Sequence, residues 1–423
     1  MSAKRYLMRG AMNILESHSK IEVAVRDYIG TNSGNLLYAY SVLRLLWNEG
    51  VEVDMDHYAV EGNRFSETDI DEINRKYSAY ILPLADAFRD DFREKLVRYA
   101  RFIDKLTIPC YVIGVGLRAP YEPDINEKRS FDEAVKLFVN SVLNKSSLIG
   151  VRGMITGSYL EKLGFVEGRH FTVIGCPSMY TYGLNLTQRP LNNLSSDSSI
   201  AINYGKHNYA LDINRYLYNI SNQYPNYIYV AQEIGELRSY VIGTDNSEEN
   251  YLFPWGIKHK FYMENKVKFY INPEVWYNDL RKVDFSVGSR LHGNVAAILA
   301  GVPVLMINMD ARMRELANWH NIPSMPMMKF DWDISLESYI EKIDVTSHLR
   351  THANNFNHFI DFLDMNGIEH IYKGNLDRKD APIDKMIQIN NDEIKSYAGC
   401  NDEEKKQRET EYINQKSIWD KIK

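Results

Sequence analysis

The clearest chemical signal in the sequence lies between two apolar runs, where residues 285–308 read FSVGSRLHGNVAAILAGVPVLMIN. Arg290 and His292 follow the first run directly and stand at the start of a segment with helical period. Alternate side chains of an extended chain point the same way, so both can face one ligand while Leu291 packs inward. A buried arginine requires either an anionic ligand or a buried carboxylate partner, and the sequence leaves both alternatives open.

Further cations and glycines occupy the same kind of position, just after an apolar run and before a helical segment. Arg152 follows SSLIGV and Arg312 follows VPVLMIN, where a guanidinium group and a helix N-terminus together favour an anion. The loops RDYIGTNSGN and GVGLRAPYEP contain Gly34, Asn35 and Arg118, and glycine lets the backbone approach a ligand. We therefore expect these loops to contact a ligand, with an ordinary tight turn as the alternative.

Two other groups of reactive side chains are predicted to be structural. Cys176 in VIGCPSMY has no cation or histidine nearby in the sequence to activate its thiol, which favours a small buried residue over a nucleophile. His348, His352 and His358 lack an acidic residue at metal-ligand spacing, which favours a solvated helix face. We predict neither a bound metal ion nor a cofactor.

The overall composition limits the class of protein. A length of 423 residues with 44% hydrophobic residues predicts two domains with their own cores. The net charge of -6 argues against a nucleic-acid binder, so an anionic ligand has to be held by local cations. Widely spaced cysteines, an N-terminus without an apolar leader, and the lack of any run of about 18 apolar residues predict a soluble cytoplasmic protein.

The elements that would position these residues alternate regularly. Runs typical of buried strands begin with IEVAV at residues 21–25 and continue with VEVDMD, YSAYILPLA, IPCYVIGVG and SSLIGVRG, separated by segments of helical period such as NLLYAYSVLRLLWNEG. After the polar linker RPLNNLSSDSS the alternation resumes from IAINYG to VPVLMIN. This order predicts an α/β fold of two Rossmann-like domains with parallel sheets.

We predict an N-terminal domain at residues 1–190, a C-terminal domain at residues 191–345 and an appendage at residues 346–423. The appendage combines a helical segment with the charged stretch NDEEKKQRETEY, which is either a surface helix or a partly disordered tail. In open α/β sheets ligands bind at the carboxyl ends of the strands, frequently between domains. The residues singled out above are therefore expected to meet in an interdomain cleft.

Taken in order along the chain, these motifs resemble the polysaccharide pyruvyl transferase family. The likeness rests on the glycine turn TNSGN, the VRG and SYLEKLGF segments, the GCPS strand end, and SRLHGNVAAILAGVPVLMIN followed by DARMRELA. It covers about Ile21 to Pro323, and SRLHG in its strand–turn–helix setting is its most specific part. The resemblance implies two facing Rossmann-like domains of the GT-B type.

The same resemblance implies an activity, the transfer of the pyruvyl group of phosphoenolpyruvate to a sugar as a ketal with release of phosphate. It implies that Arg152, Arg290 and His292 contact phosphoenolpyruvate. Arg312 stands where members often carry lysine, and arginine keeps the charge but does not replace a proton-transferring lysine. Asn35 stands where aspartate is common, so a carboxylate role is not expected at this position.

Ketal formation needs a proton at the methylene carbon of phosphoenolpyruvate. An imidazole group, with an ordinary pKa of about 6.5, suits this transfer, so we predict His292 to be either the general acid or a phosphate-binding imidazolium. Phosphoenolpyruvate is then the donor substrate, and the acceptor is a glycan or lipid-linked saccharide of a cell-surface polysaccharide. By analogy with the family the N-terminal domain binds the acceptor, with Tyr58, Asp86 and Tyr121 as unranked candidates.

Two other functions remain open from the sequence. A GT-B glycosyltransferase using a nucleotide sugar would share the fold and the phosphate-binding logic. A non-catalytic carbohydrate-binding member of a polysaccharide assembly complex would fit the departure at Asn35 and the charged tail. The sequence does not identify the acceptor sugar, the bridged hydroxyl pair, the general base or the oligomeric state. Peripheral contact with a membrane-bound acceptor, at the inner face of the membrane, is an alternative to a location free in the cytoplasm.

Overall fold

The computed structural model describes residues 4–10, 12–205, 211–244, 251–387 and 394–422. Within these ranges the chain forms two parallel β-sheets of six strands each. The strands of the N-terminal sheet are β1 (Lys4–Met8), β2 (Val51–Met55), β3 (Ala79–Pro83), β4 (Cys110–Val115), β5 (Ile149–Val151) and β6 (Phe171–Val173). The strands of the C-terminal sheet are β7 (Ile200–Asn203), β8 (Tyr227–Ala231), β9 (Val267–Phe269), β10 (Phe285–Gly288), β11 (Val304–Asn308) and β12 (Ser324–Pro326).

Helices connect the strands and complete the chain after the second sheet. The helices that accompany the N-terminal sheet are α1 (Lys20–Arg26), α2 (Ser33–Leu46), α3 (Glu67–Lys76), α4 (Arg93–Lys105), α5 (Asp132–Leu143) and α6 (Met154–Lys162). Those that accompany the C-terminal sheet are α7 (Leu211–Gln223), α8 (Ile234–Ile242), α9 (Lys260–Met263), α10 (Pro273–Leu280), α11 (Leu291–Leu299) and α12 (Ala311–His320). The remaining helices are α13 (Leu336–Lys342), α14 (Ser347–Met365) and α15 (Asp402–Ile422).

The order of the strands creates a crevice at the edge of each sheet. The N-terminal sheet has the order β2-β1-β3-β4-β5-β6, and the C-terminal sheet has the order β12-β11-β10-β7-β8-β9. The winding reverses between β1 and β3 and between β7 and β10, and the loops that leave such neighbouring strands diverge. Arg9 and Asp86 lie at the first of these switch points, and Arg290 lies at the second. The predicted α/β fold, two Rossmann-like domains of the GT-B type, is confirmed.

The segment predicted as the first strand is a helix. Residues 21–25 lie in α1, whose N-cap residue Ser19 accepts a hydrogen bond from the Glu22 backbone N–H at 3.1 Å. The first strand is instead β1, which lies between β2 and β3. A short, mostly apolar run does not distinguish a buried helix from a strand. Strand β1 has the sequence KRYLM, and its two basic residues leave too short an apolar run to predict a strand.

The first turns of α12 join the C-terminal domain to the N-terminal domain. Arg314 Nη1 donates a hydrogen bond to the Tyr121 carbonyl at 3.0 Å. The carboxylate of Glu315 accepts two hydrogen bonds from Thr156 at the N-terminus of α6, from the backbone N–H at 2.9 Å and from the hydroxyl at 2.8 Å. Burial raises the pKa of Glu315 to about 7, against the opposing effect of these hydrogen bonds.

Two glycines of the N-terminal domain make room for Glu315. A Cβ atom on Gly153 would lie 2.5 Å from the Cβ of Glu315, and one on Gly116 would lie 3.3 Å from its Oε1. These glycines belong to the VRG and GVGLR segments, where the sequence suggested a ligand or a tight turn. The close approach of the other domain is the physical reason for glycine at position 153, whereas at position 116 the Arg152 side chain of the same domain lies even closer, at 3.2 Å.

A second joint between the domains lies at the starts of α2 and α8. Residues 31–33 pair with residues 232–234 through two backbone hydrogen bonds of 2.9 and 2.8 Å. A side-chain hydrogen bond of 2.9 Å adds to them, from Asn32 Nδ2 to Glu233 Oε1. The glycine turn TNSGN is therefore an interdomain contact as well as the entry to α2.

The C-terminal part of the chain returns to the N-terminal domain. The segment predicted as one helix at residues 336–363 is divided into α13 and α14, and almost all of NDEEKKQRETEY lies in the surface helix α15. After α14 the Asn366 Oδ1 atom accepts a hydrogen bond from the Ser147 backbone N–H at 3.0 Å, and the Ile371 N–H donates to the Leu45 carbonyl at 2.9 Å. Helix α15 packs against both α1 and α8, one helix from each domain.

Two of the three histidines predicted to face solvent are buried instead. His348 and His352 on α14 are almost inaccessible, and His352 Nε2 lies 2.8 Å from the Gly183 carbonyl oxygen. Burial lowers the pKa of His348 to about 4, so it is neutral near pH 7. In the described ranges no cluster of histidine, cysteine and acidic residues has the arrangement of a metal site. None of the described helices combines the length and apolar character needed to cross a bilayer.

The contact between Gly153 and Glu315 makes a testable prediction. Replacing Gly153 with alanine places a methyl group inside the contact distance of Glu315, so we expect the free energy of unfolding to fall by about 1–3 kcal/mol. Urea unfolding measures this loss, with Gly399→Ala as the matched control because a Cβ there meets no atom within 4 Å. Equal stability of Gly153→Ala and wild type would contradict a close contact of the domains at this point.

Candidate active site

The two switch points face one cleft between the domains. The cleft has a volume of about 1070 Å³ and is lined by residues of both sheets. Among the described residues of its lining, cationic side chains outnumber carboxylates by seven to five, which favours an anionic ligand. The cationic residues of the lining are Arg9, Arg89, Lys95, Arg118, Arg152, Arg290 and Arg312.

The structure brings together the residues predicted to bind the donor or to form ligand loops, whereas Tyr121, a candidate for acceptor binding, does not line the cleft. Arg152, Arg290, His292 and Arg312 line the cleft together with Asn35 and Arg118. Gly34 lies directly behind this wall, since a Cβ atom on it would be 2.4 Å from Nδ1 of His292. Glycine at position 34 therefore allows α2 to approach the histidine. The roles of these residues in binding and catalysis stay predictions.

Asp86 is the point where the arginines of the cleft converge. Its carboxylate accepts from Arg118 at 2.9 Å, from Arg89 at 3.1 Å and from Arg312, of the other domain, at 3.3 Å. Burial alone would raise the pKa of Asp86, but these guanidinium groups and Arg152 outweigh burial and hold the pKa at about 2. Asp86 is therefore ionised at neutral pH and keeps three long side chains directed at one place.

Asp86 was only an unranked candidate for acceptor binding, and Arg89 was not predicted from the sequence at all. Both follow β3 at the N-terminal switch point, and the rule that ligands bind at strand ends applies to them as well. The other ligand loops were identified by their glycines and by the start of a helix. The loop after β3 has the sequence LADAFRDDF and contains no glycine. The missing signal was the strand order, which a single sequence does not show.

Arg152 lies within electrostatic reach of Asp86 and Glu315 but forms an ion pair with neither carboxylate. In the described part of the chain it forms no ion pair, and its Nε donates to the Gly114 carbonyl at 3.1 Å. Its guanidinium carbon lies 4.8 Å from the centre of the Tyr38 ring, and its Nη2 is 3.9 Å from Cys176 Sγ. The side chain is therefore held by a carbonyl, a ring and a sulfur atom rather than by a carboxylate.

Cys176 has the neighbours that the sequence did not reveal. Its Sγ lies 3.9 Å from Arg152 Nη2 and 4.0 Å from His292 Nε2, both of which are distant from Cys176 in the sequence. The residue is nevertheless almost fully buried behind these two side chains and does not line the cleft. This position agrees with the structural role that the sequence favoured.

Arg290 has the carboxylate partners that the sequence left open as an alternative to a ligand. Its Nη1 lies 2.7 Å from Glu233 Oε1, and its Nη2 lies 3.2 Å from Glu236 Oε2. Its Nε donates to the Tyr204 carbonyl at 2.9 Å. Most of the positive charge of Arg290 is therefore offset within the C-terminal domain.

The surroundings of His292 favour its neutral form. Burial lowers its pKa well below the usual range, and the charges of Arg152 and Arg312 lower the pKa further. Asp86 acts in the opposite direction but does not compensate. A ligand that brings negative charge beside this imidazole would raise its pKa, so protonation of His292 depends on the ligand.

Asn35 closes the turn that precedes α2. Its Nδ2 donates to the Gly30 carbonyl at 2.7 Å and to the Ile29 carbonyl at 3.3 Å. Aspartate has no N–H to donate and would place a negative charge beside two carbonyl oxygens. The amide thus has a local structural function at the position where the family resemblance led us to look for a carboxylate.

Comparisons with known proteins give one family and several distant structures. The family model for polysaccharide pyruvyl transferase matches residues 32–310. A search of the curated proteins gave no match. An uncharacterized protein of Klebsiella pneumoniae is 12% identical, with coverage of 75% of this chain and 88% of that chain and a TM-score of 0.38.

Two further solved structures come from proteins that bind nucleotide ligands in their crystals. The S. aureus MnaA structure with UDP is 10% identical, with coverage of 90% of this chain and 99% of that chain and a TM-score of 0.42. The UDP-GlcNAc 2-epimerase from Neisseria meningitidis, bound to UDP-GlcNAc, is 10% identical. The match covers 97% of this chain and 100% of that chain, with a TM-score of 0.39.

The hydrogen bonds of Asn35 make a prediction about its acidic counterpart. In Asn35→Asp the pKa of the new carboxyl should be raised by the facing carbonyls, so the lost stability is small near pH 4 and grows to about 1–3 kcal/mol at pH 7. Urea unfolding at both pH values measures the difference. Asn35→Ala loses the same donors without adding charge, so its deficit should not depend on pH. An aspartate variant as stable as wild type at pH 7 would show that the amide does not hold this turn.

Proposed function

Because the chain belongs to the polysaccharide pyruvyl transferase family, we propose that it transfers the pyruvyl group of phosphoenolpyruvate to a sugar as a ketal and releases phosphate. The acceptor is a sugar of a cell-surface polysaccharide or of its lipid-linked precursor. One observation carries the proposal: Arg152 and His292, from the two domains, meet with Arg312 in a single cleft that has an excess of positive charge.

The donor matches the cations of the cleft. Phosphoenolpyruvate has a carboxylate and a phosphate, and guanidinium groups bind both through paired hydrogen bonds. In this proposal Arg152 and Arg312 hold the donor, and Arg118 and Arg89 approach it from Asp86. Arg290 also contacts the donor in this proposal, although its two carboxylate partners offset most of its charge.

The proton for the methylene carbon is assigned to His292. Burial and two arginines keep this imidazole neutral in the free protein, whereas the negative charges of the donor favour the imidazolium. Binding of the donor and protonation of His292 are therefore coupled. His292 becomes an acid only when the molecule that it protonates is present.

The size of the cleft leaves space for an acceptor. Its volume of about 1070 Å³ is far larger than a three-carbon phosphate ester needs, so a sugar fits beside the donor. We propose that the reaction takes place in the cytoplasm, either free or at the inner face of the membrane where lipid-linked saccharides are available.

Mass spectrometry of candidate glycans incubated with the protein and phosphoenolpyruvate tests the reaction. We expect one glycan to gain a pyruvyl ketal, with release of one phosphate per ketal. His292→Gln should lower the rate by about 100-fold or more because the proton donor is lost. His358→Gln, which lies outside the cleft, is the control. Consumption of a nucleotide sugar in place of phosphoenolpyruvate would favour a glycosyltransferase and refute the proposal.

The coupling of donor binding to His292 makes a second prediction. Because the bound state holds more protons than the free state, affinity for phosphoenolpyruvate should rise as the pH falls from 8.5 to 7, with uptake of up to about one proton per site. Titration calorimetry in buffers of different ionisation enthalpy measures this uptake. His292→Gln should bind the donor without it. The same uptake in both proteins would assign the proton to another group.

A further inference from the structure

The chemistry of the proposed function leaves one role without a residue. Each of the two sugar hydroxyls that form the ketal loses a proton, and a base in the cleft must accept the proton of the attacking hydroxyl. His292 is occupied as the acid in the same step. From the carboxylates of the cleft we infer that Glu233 is this base, an inference that rests on the proposed function.

Five carboxylates of the described residues line the cleft, and the three that belong to the N-terminal domain are held by cations. Glu61 Oε1 lies 2.5 Å from Arg9, and its Oε2 lies 3.4 Å from Lys95. Asp86 is shared by three arginines, as described above. Asp91 is paired with Arg89 at 2.8 Å through Oδ1 alone and is two-thirds exposed, the most of the five. Both oxygens of Glu61 and of Asp86 are therefore occupied by cations, and Asp91 is anchored only by one contact within its own domain.

Glu236 is excluded for a different reason. Its side chain has no accessible surface, and four donors surround its two oxygens. These are the Tyr229 hydroxyl at 2.6 Å, the backbone N–H groups of Gln232 and Glu233 at 2.9 and 2.8 Å, and Arg290 at 3.2 Å. Glu236 caps the start of α8 and fixes Arg290, and no substrate reaches it.

Glu233 differs from the other four in how its oxygens are used. In the described part of the chain both of its side-chain hydrogen bonds fall on Oε1, from Arg290 at 2.7 Å and from Asn32 at 2.9 Å. The side chain lines the cleft and is 40% exposed. One oxygen is therefore anchored from both domains, and Oε2 is left for a hydroxyl of the acceptor.

The joint between α2 and α8 brings this base close to the acid. Asn32 contacts Glu233, and Gly34, two residues later, lies against Nδ1 of His292. Arg290, which holds Glu233, is also two residues from His292 in the chain. Acid and base therefore lie on either side of the same turn, at the carboxyl ends of β10 and β8.

The proton transfers balance with these two groups. His292 gives its proton to the methylene carbon, the first hydroxyl oxygen bonds to the central carbon, and Glu233 takes the proton of that hydroxyl. The second hydroxyl oxygen then displaces phosphate at the same carbon, and its proton leaves with the phosphate as HPO₄²⁻. The proton on Glu233 returns to the imidazole through solvent, so no other reactant is needed.

The substitution Glu233→Gln separates a base from a structural anchor. The amide oxygen still accepts from Arg290 and Asn32, but the side chain no longer accepts a proton. With the glycan that wild type converts, we expect kcat to fall by about 100-fold or more while KM for phosphoenolpyruvate and the melting temperature change little. Glu233→Asp keeps the carboxylate and should recover part of kcat.

Glu52→Gln is the matched control for the loss of an exposed carboxylate paired with an arginine. Glu52 lies 2.9 Å from Arg5 and is 45% exposed, away from the cleft, so its variant should keep full activity. Glu233→Gln within threefold of wild-type kcat would overturn the inference alone. A parallel loss of donor binding or melting temperature would show that Glu233 is only an anchor. A wild type that forms no ketal on any glycan would overturn the proposed function, and this inference with it.

Discussion

The contact between the Glu315 carboxylate and the N-terminus of α6 fixes the geometry of the cleft. A buried carboxylate that loses one hydrogen-bond partner costs a protein several kcal/mol, so this contact from one domain to the other is not easily given up. Arg312 and Glu315 are three residues apart on α12 and lie on the same side of the helix. Anchoring Glu315 therefore carries Arg312 to Asp86, and the glycines that admit Glu315 also bring Arg152 close.

The charges of the cleft are arranged unevenly around this anchor. Arg290 is balanced by two carboxylates of its own domain, whereas three arginines share the single carboxylate of Asp86 and Arg152 forms no ion pair within the described residues. Burial, and after it the charges of Arg152 and Arg312, lowers the pKa of His292. In the proposed reaction the same two arginines hold the donor, so donor binding and protonation of His292 depend on the same charges.

Much of the fold could be predicted from the sequence because parallel strands that are buried on both faces consist of uninterrupted apolar runs. β3, β4, β10 and β11 were predicted on that pattern, and each is buried at every position. The run IEVAV was wrongly predicted as a strand because a short apolar run fits a helix equally well. Strand β1 was not predicted because it begins with charged residues. Arg290, His292, Arg152 and Arg312 were found because strand ends are local in sequence.

The remaining site residues depend on contacts that a single sequence does not encode locally. The strand order and the contacts made by the other domain place three further residues in the cleft, namely Asp86, Arg89 and Glu233. The pairing of Arg290 with Glu233 spans 57 positions, and that of Glu315 with Thr156 spans 159. No periodicity connects residues so far apart, and only the packed structure shows which cation is balanced.

The return of the chain to the N-terminal domain after α14 has a consequence for recombination between relatives. Residues 366–371 bond to the N-terminal half, and α15 lies across helices of both domains. A hybrid protein joined only at the linker near residue 190 would separate these segments from the surfaces that they cover. Functional exchange of the second domain requires two crossover points, with the final helices inherited together with the first domain.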